Sequence, residues 1–194
     1  MSFLGKIFSR SKSNKQEAKI VLLGSSGAGK TTLVRYLETG EPVETDPKTT
    51  LGIDIRKTPI NLDGWSFKAI DVGGQELYQK TFWALGIGQA DAVIYVIDGT
   101  TKQSESNDAW ETAMFQFDYM LGLIEHGMPL LVLVNKQDLK ELDPLSTEEA
   151  IRLYGMQKLV GRSFVVLPSS AKYGDGVQNA MEWLVEKIAK EKSI

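Results

Sequence analysis

The chain has 194 residues, the size of one domain with a full hydrophobic core. Hydrophobic residues make up 42% and charged residues 24%, there is no cysteine, and no apolar run reaches the ~18 residues that span a bilayer. Disulfides and thiolate metal sites are thereby excluded, as is a bilayer-spanning helix. The net charge of −3 is uneven: residues 1–16 carry Lys6, Arg10, Lys12 and Lys15 and no acid, leaving −7 on the remainder. An acidic body lacks the basic face that general nucleic-acid binding needs, so no nucleic-acid partner is expected.

In chain order, residues 1–16 read as an appendage and 17–194 as one domain. Residues 19–23 form a short apolar run ending at Gly24, and Lys30–Thr39 reads as a helix. Residues 53–61 and 65–71 read as two strands, with Asp63-Gly64 a strong hairpin signal between them. Ala92–Asp98 is a buried strand, and 106–124 a long helix stopped near Gly127 and Pro129. Residues 130–134 form another buried strand, and 147–154 a helix with a capping box at Ser146 and Glu149. A strand at 163–167 and a closing helix at 177–190 complete the chain. Alternating strands and helices predict an α/β fold: a six-stranded, mostly parallel sheet, one antiparallel edge strand, and about five flanking helices. In such sheets ligands sit outside the carboxyl ends of the strands, so chemistry is expected just after strands.

The first such place is Gly24-Ser25-Ser26-Gly27-Ala28-Gly29-Lys30-Thr31, a full G-x-x-x-x-G-K-[ST] between a strand and a helix. Glycines let the backbone wrap closely and aim N–H groups at phosphate oxygens, and the following helix adds its positive dipole end. Lys30 reaches the β- and γ-phosphates as a point charge. The Thr31 hydroxyl suits Mg²⁺, which takes a few protein oxygens beside phosphate and water. Alone, the pattern could be a glycine-rich turn with an accidental Lys-Thr; the strand before it and the helix after it argue otherwise. Asp71-Val-Gly-Gly74-Gln75 ends the second hairpin strand. Its carboxylate can hold an Mg²⁺-bound water, Gly74 can offer a backbone N–H to the γ-phosphate, and Gln75 can orient the attacking water.

A phosphate loop does not separate ATP from GTP; Asn135-Lys136-Gln137-Asp138 does. The Asp138 carboxylate can accept from guanine N1–H and the exocyclic amine, whereas adenine would leave it unpaired. Asn135 is expected to touch the base edge and brace the phosphate loop, and the Lys136 stem to lie along the base. Ser170-Ala171-Lys172, after the last strand, can present N–H groups to the guanine carbonyl; by itself it reads as a loop.

Together these residues resemble the Ras-superfamily small GTPases over residues 18–190, and most closely the Arf (ADP-ribosylation factor) and Arf-like branch. Lys30-Thr31-Thr32, the Gly73-Gly74 pair and an N-terminal amphipathic extension carry that likeness. The resemblance implies a P-loop GTPase fold and a monomeric switch that binds GTP or GDP with Mg²⁺ and hydrolyses GTP. Thr32 would lie at the nucleotide. Thr50 would join Thr31 and Asp71 at the metal, with Thr49 the alternative. Residues 41–53 and 73–86 would be the switch segments. Effectors, exchange factors and GTPase-activating proteins are the implied partners, and the cytoplasm the implied location. Departures from the branch are equally visible: Ile70 and Ile53 stand where tryptophan and phenylalanine are usual, and Ser2 removes the myristoylation motif. Tyr78, Phe82 and Trp83 either supply a different aromatic effector patch or pack on the core.

Lys30 and Gln75 are the expected catalytic residues: the cation stabilises charge and the amide places water. No arginine presents itself as a finger in cis; Arg56, nearest the switch, falls on a strand. Slow turnover, accelerated by a partner, is expected. A pseudo-GTPase scaffold and a P-loop ATPase are the rival readings; the intact Lys30, Thr31, Asp71 and Gln75 oppose the first, and Asp138 the second. In the extension, Phe3, Leu4, Ile7 and Phe8 share a helical face flanked by basic residues, an interfacial membrane pattern for residues 2–15. The same residues could pack into a groove on their own domain or form a tail. His126, the only histidine, is expected to be a surface residue near a helix end, and Trp110 and Trp183 to lie in the core.

Overall fold

The computed structural model describes residues 16–44, 53–55, 60–62, 65–72, 76–102 and 108–193. Seven strand segments form one sheet: β1 (Gln16–Leu23), β2 (Ile53–Ile55), β3 (Ile60–Leu62), β4 (Trp65–Val72), β5 (Ala92–Asp98), β6 (Leu130–Asn135) and β7 (Phe164–Pro168). Across the sheet the order is β2-β4-β1-β5-β6-β7, with β3 also on β4. β2 and β3 run antiparallel to β4 and every other pairing is parallel. The sheet therefore has the six positions expected, with the one antiparallel edge.

That edge differs from the single run 53–61. β3 pairs Leu62 with Trp65 and Ile60 with Phe67, so only Asp63 and Gly64 separate it from β4. Extended backwards, the same register would set Ile55 against Val72; β2 instead pairs Ile55 with Ile70. The register on β4 thus differs by two residues between β2 and β3.

Among the described residues five α-helices cover the sheet: α1 (Lys30–Thr39), α2 (Glu76–Ile87), α3 (Asp108–Leu123), α4 (Thr147–Leu153) and α5 (Val177–Glu191). The capping box on α4 is present: Ser146 Oγ accepts from Glu149 N at 3.2 Å, and Glu149 Oε2 accepts from Ser146 N at 2.9 Å. α2 is a helix that the sequence pattern did not place.

Side chains alternate across the central strands and divide the core in two. Ile20, Leu22, Ile94, Val96, Leu131 and Leu133 face α1 and α5, joining Leu33, Leu37, Met181, Leu184 and Ile188. Val21, Leu23, Tyr95, Ile97, Val132 and Val134 face α2, α3 and α4, joining Trp83, Trp110, Phe117 and Tyr154. Fully buried strands in a parallel sheet need apolar residues on both faces, which is why β5 and β6 read as continuous apolar runs. Among the described residues no helix is long and apolar enough to cross a membrane.

Trp83 is completely buried, its ring 6.2 Å from Tyr95 and edge-on to it. It packs in the core and contributes no exposed effector patch. Phe82 is partly buried against the same cluster, and the Tyr78 side chain lies outside the described residues. Trp110 is 6% exposed and Trp183 packs partly buried on the other cluster, as expected. His126 is exposed, also as expected.

Candidate nucleotide site

The loops leaving β1, β6 and β7 meet at one edge of the sheet. Residues 24–31 leave β1 and open α1. Gly24 has φ +135°, and a Cβ there would collide with the Val96 carbonyl. Gly29 has φ +99°, and a Cβ there would strike Asn135 Nδ2. These two glycines are thus required both by backbone conformation and by close approach. Gly29 is also the N-cap of α1 and brings no capping side chain, so the helix's positive end faces the loop.

Lys30 is 6% exposed, and its Nζ donates to the carbonyls of Gly24 and Ser25 at 2.8 Å each. The ammonium is held inside the loop, where an anion's oxygens would meet it. Ser26 and Gly27 are exposed at the tip, Ala28 is buried, and Thr31 and Thr32 are half-buried on the first turn of α1. The Ala28 carbonyl accepts from Asn135 Nδ2 at 2.8 Å.

Asn135, last residue of β6 and 2% exposed, joins three loops. Its Nδ2 holds the phosphate loop, while its Oδ1 accepts from Ala171 N at 2.8 Å and from Ser169 Oγ at 3.3 Å. The bracing expected of this residue is present. Ser170 is fully buried, its Oγ accepting from Tyr173 N at 3.3 Å. The Lys172 carbonyl accepts from Val43 N at 2.9 Å, tying the loop after β7 to the chain that follows α1.

Lys136 adopts φ +66°, and its Nζ donates to Asp98 Oδ2 at 2.7 Å. The other Asp98 oxygen accepts from Thr100 N and Oγ1, at 3.0 and 2.7 Å. Asp138, two residues after Lys136, is half-buried. Asp71 lies on β4 in register with Leu22, which places its backbone two residues short of the position of Gly24. Thr49, Thr50, Gly73, Gly74, Gln75 and residues 1–15 lie outside the described residues, as does the Asp71 side chain.

Residues 4–188 match the model of the ADP-ribosylation factor family. The chain belongs to the Arf family. It is 33% identical over 178 residues to ADP-ribosylation factor-like protein 3 of Chlamydomonas reinhardtii, covering 91% of this chain and 94% of that protein. It is 34% identical over 183 residues to ADP-ribosylation factor-like protein 1 of Saccharomyces cerevisiae, covering 92% and 91%. Its fold matches that of the Arl6 BBS3 small GTPase of Trypanosoma brucei, solved with the nucleotide analogue GppNp, at a TM-score of 0.73 and 21% identity, over 90% of this chain and 99% of that one. This Arf-family chain is accordingly a Ras-superfamily GTPase, a switch that binds guanine nucleotide and hydrolyses GTP.

Sequence reading missed two residues that hold this Arf-family site together. Asp98 ends β5 at the same sheet edge as the recognised motifs, so its position alone was a signal. Gln116 of α3 is 2% exposed and accepts from Ser25 Oγ at 2.7 Å. It was visible only as one polar residue among the buried Trp110, Ala113, Phe117 and Met120.

Proposed function

We propose that residues 24–31 cradle the phosphates of GTP and GDP, that Asp138 reads guanine, and that Gln75 and Lys30 carry hydrolysis within a domain spanning 17–194. The observation that supports this most is the Asn135 side chain, which ties phosphate loop, N-K-Q-D loop and Ser170-Ala171-Lys172 loop into one unit. Asp138 then pairs guanine N1–H and the exocyclic amine, while Ala171 and Lys172 line the base. Thr32 and Gly74 complete the contacts to the nucleotide.

The donor set suits Mg²⁺. Thr31 offers a hydroxyl beside the buried Lys30, Asp71 a carboxylate on the neighbouring strand, and Thr50 a second hydroxyl, all hard oxygens. Bound there, the ion would neutralise charge developing on the phosphate oxygens. Lys30 stabilises the same charge, the loop's N–H groups hold the phosphates in place, and Gln75 orients the attacking water. Turnover without a partner stays below about one per second, because no arginine is assigned as a finger in cis; Arg56, nearest the switch in sequence, lies outside the described residues.

Phosphate release from GTP and from ATP, for wild type and Gln75→Leu, tests this reading. Slow, GTP-specific release that is lost in the variant is the expected result. Equal release from ATP would overturn the assignment of Asp138, and full activity of Gln75→Leu that of the glutamine.

The protein acts as a monomer in the cytoplasm, where exchange factors, activating proteins and effectors set its state. Residues 2–15 contact membrane through Phe3, Leu4, Ile7 and Phe8, with basic residues near anionic lipid. Without a lipid chain this contact is weak and depends on GTP. Sedimentation with anionic liposomes of the GTP-loaded full-length protein, but not of residues 17–194, is expected. Equal sedimentation of both would overturn it.

A further inference from the structure

Gln116 is an amide on a side of α3 that is otherwise apolar, between the buried Ala113 and Met120. Burying a side-chain amide is unfavourable unless its polar atoms are paired. Its Oε1 is used on Ser25, whose hydroxyl donates to it at 2.7 Å across 91 residues of sequence. Ser25 is no arbitrary point on the loop. Its carbonyl accepts the Lys30 ammonium at 2.8 Å and the Ala28 N–H at 3.3 Å. The residue whose carbonyl organises the phosphate loop is thus fixed through its side chain to a helix on the opposite face from α1. One turn further along α3, Tyr119 meets Trp83 of α2, their rings 6.5 Å apart.

We propose that Gln116 is a positioning residue for the phosphate loop: by anchoring Ser25 it holds the cradle in its binding shape and slows release of guanine nucleotide. This rests on the assignment of residues 24–31 as the phosphate loop. Neither Ser25 nor Gln116 is a fixed position of the G-x-x-x-x-G-K-[ST] pattern, so the anchor is a property of this chain and not of the motif. The anchor shapes a loop that meets GTP and GDP alike. It therefore acts on both nucleotides alike and leaves the chemical step alone.

The test is dissociation of fluorescent GDP and GTP analogues, chased with unlabelled nucleotide, together with single-turnover hydrolysis. It uses full-length wild type, Ser25→Ala, Gln116→Leu and the double variant. Losing one hydrogen bond is expected to speed dissociation of both nucleotides about three- to tenfold in each single variant. The double variant is expected to be no faster than the faster single, because both remove the same bond. Hydrolysis by Gln116→Leu is expected to stay within about twofold of wild type. Gln116→Glu, which keeps an acceptor, should fall between wild type and Gln116→Leu.

Single-variant effects that multiply in the double variant would overturn the proposal, as would a hydrolysis rate that falls in step with binding. Should Gln116→Leu not fold, Ser25→Ala decides alone, since it breaks the bond from a half-exposed loop; unchanged dissociation there would overturn it. Lys30→Ala guards the underlying assignment. If that variant keeps wild-type affinity, the phosphate-loop reading fails, whatever the other variants do.

Discussion

The two faces of the sheet are built from different materials. The face under α1 and α5 is mainly aliphatic: isoleucine, leucine and valine from the strands meet Leu33, Val34, Leu37, Met181, Leu184 and Ile188. The face under α2, α3 and α4 is an aromatic network. Tyr95 meets Trp83 and Phe117 edge-on, at 6.2 and 5.1 Å, and Tyr154 meets Trp110 and Phe117, each at 5.3 Å. Each face also braces the phosphate loop with one buried amide. Asn135 ties together the loops that precede α1 and α5, and Gln116 reaches the loop from α3. The aliphatic face thus carries the helices that begin at the nucleotide loops, and the aromatic face carries the helix that follows Gln75. Edge-to-face rings have geometric preferences that aliphatic groups lack. Displacing α2 would therefore disturb specific ring contacts, whereas α1 and α5 rest on less directional packing.

The largest expected effect on nucleotide binding comes from breaking the aliphatic face's tie. Asn135→Ala strands the Ala28 carbonyl and the Ala171 N–H, both now paired to that side chain. A buried group left unpaired costs about 1–3 kcal/mol. At 1.4 kcal/mol per decade, GTP affinity should fall by roughly two orders of magnitude. Titration calorimetry measures it; a loss below about tenfold would mean that the three loops hold together without Asn135.

Next comes the aromatic face. Trp83→Ala should lower unfolding stability by about 3–5 kcal/mol in denaturant titration, the usual cost of emptying a buried large aromatic site. Trp83→Phe should cost much less than its lost area suggests. Among the described residues the Trp83 Nε1 is buried without a hydrogen-bond partner, so phenylalanine removes apolar contact but also that donor. If the two substitutions cost the same, the ring contacts with Tyr95 and Tyr119 are not what hold α2 in place.

How much of its circumference is apolar decided whether the sequence could reveal a helix. α1 and α5 lay where the apolar period placed them, since each has a narrow buried stripe. α2, with Leu77, Phe82, Trp83, Ala84, Leu85 and Ile87, has apolar residues around much of its circumference, and its period is blurred. The nucleotide motifs were legible because each is local and sits just after a strand. The Lys136–Asp98 and Ser25–Gln116 contacts span 38 and 91 residues, so no local pattern could reveal them. Lys136 illustrates the limit: its spacing suggested a stem along the base but gave no sign that its ammonium is held on Asp98. The broken edge was hidden similarly, because 53–61 is apolar enough for one strand and only pairing with β4 shows the shift in register.

The smallest effect belongs to the aromatic face alone. Tyr95 and Tyr154 are buried there, at 1% and 2% exposure. Burial pushes both hydroxyls above the usual tyrosine value, with Tyr154 adding to the shift of Tyr95 and Asp98 to that of Tyr154. Folding therefore favours the protonated phenols. The contribution is complete below the unfolded value of about 10 and is lost as pH rises from there towards the folded values, because the unfolded chain then binds fewer protons. Each buried tyrosine should steepen the fall by up to about 1.4 kcal/mol per pH unit. Tyr95→Phe removes one such group and a weak 3.5 Å hydrogen bond to the Ala113 carbonyl. It should therefore be nearly neutral at pH 7 and relatively more stable above pH ~10. Urea titrations of both proteins at neutral and alkaline pH give the comparison. Parallel stability curves across that range would mean that the alkaline loss arises elsewhere, and that the aromatic face holds its tyrosines by packing without penalising their ionised forms.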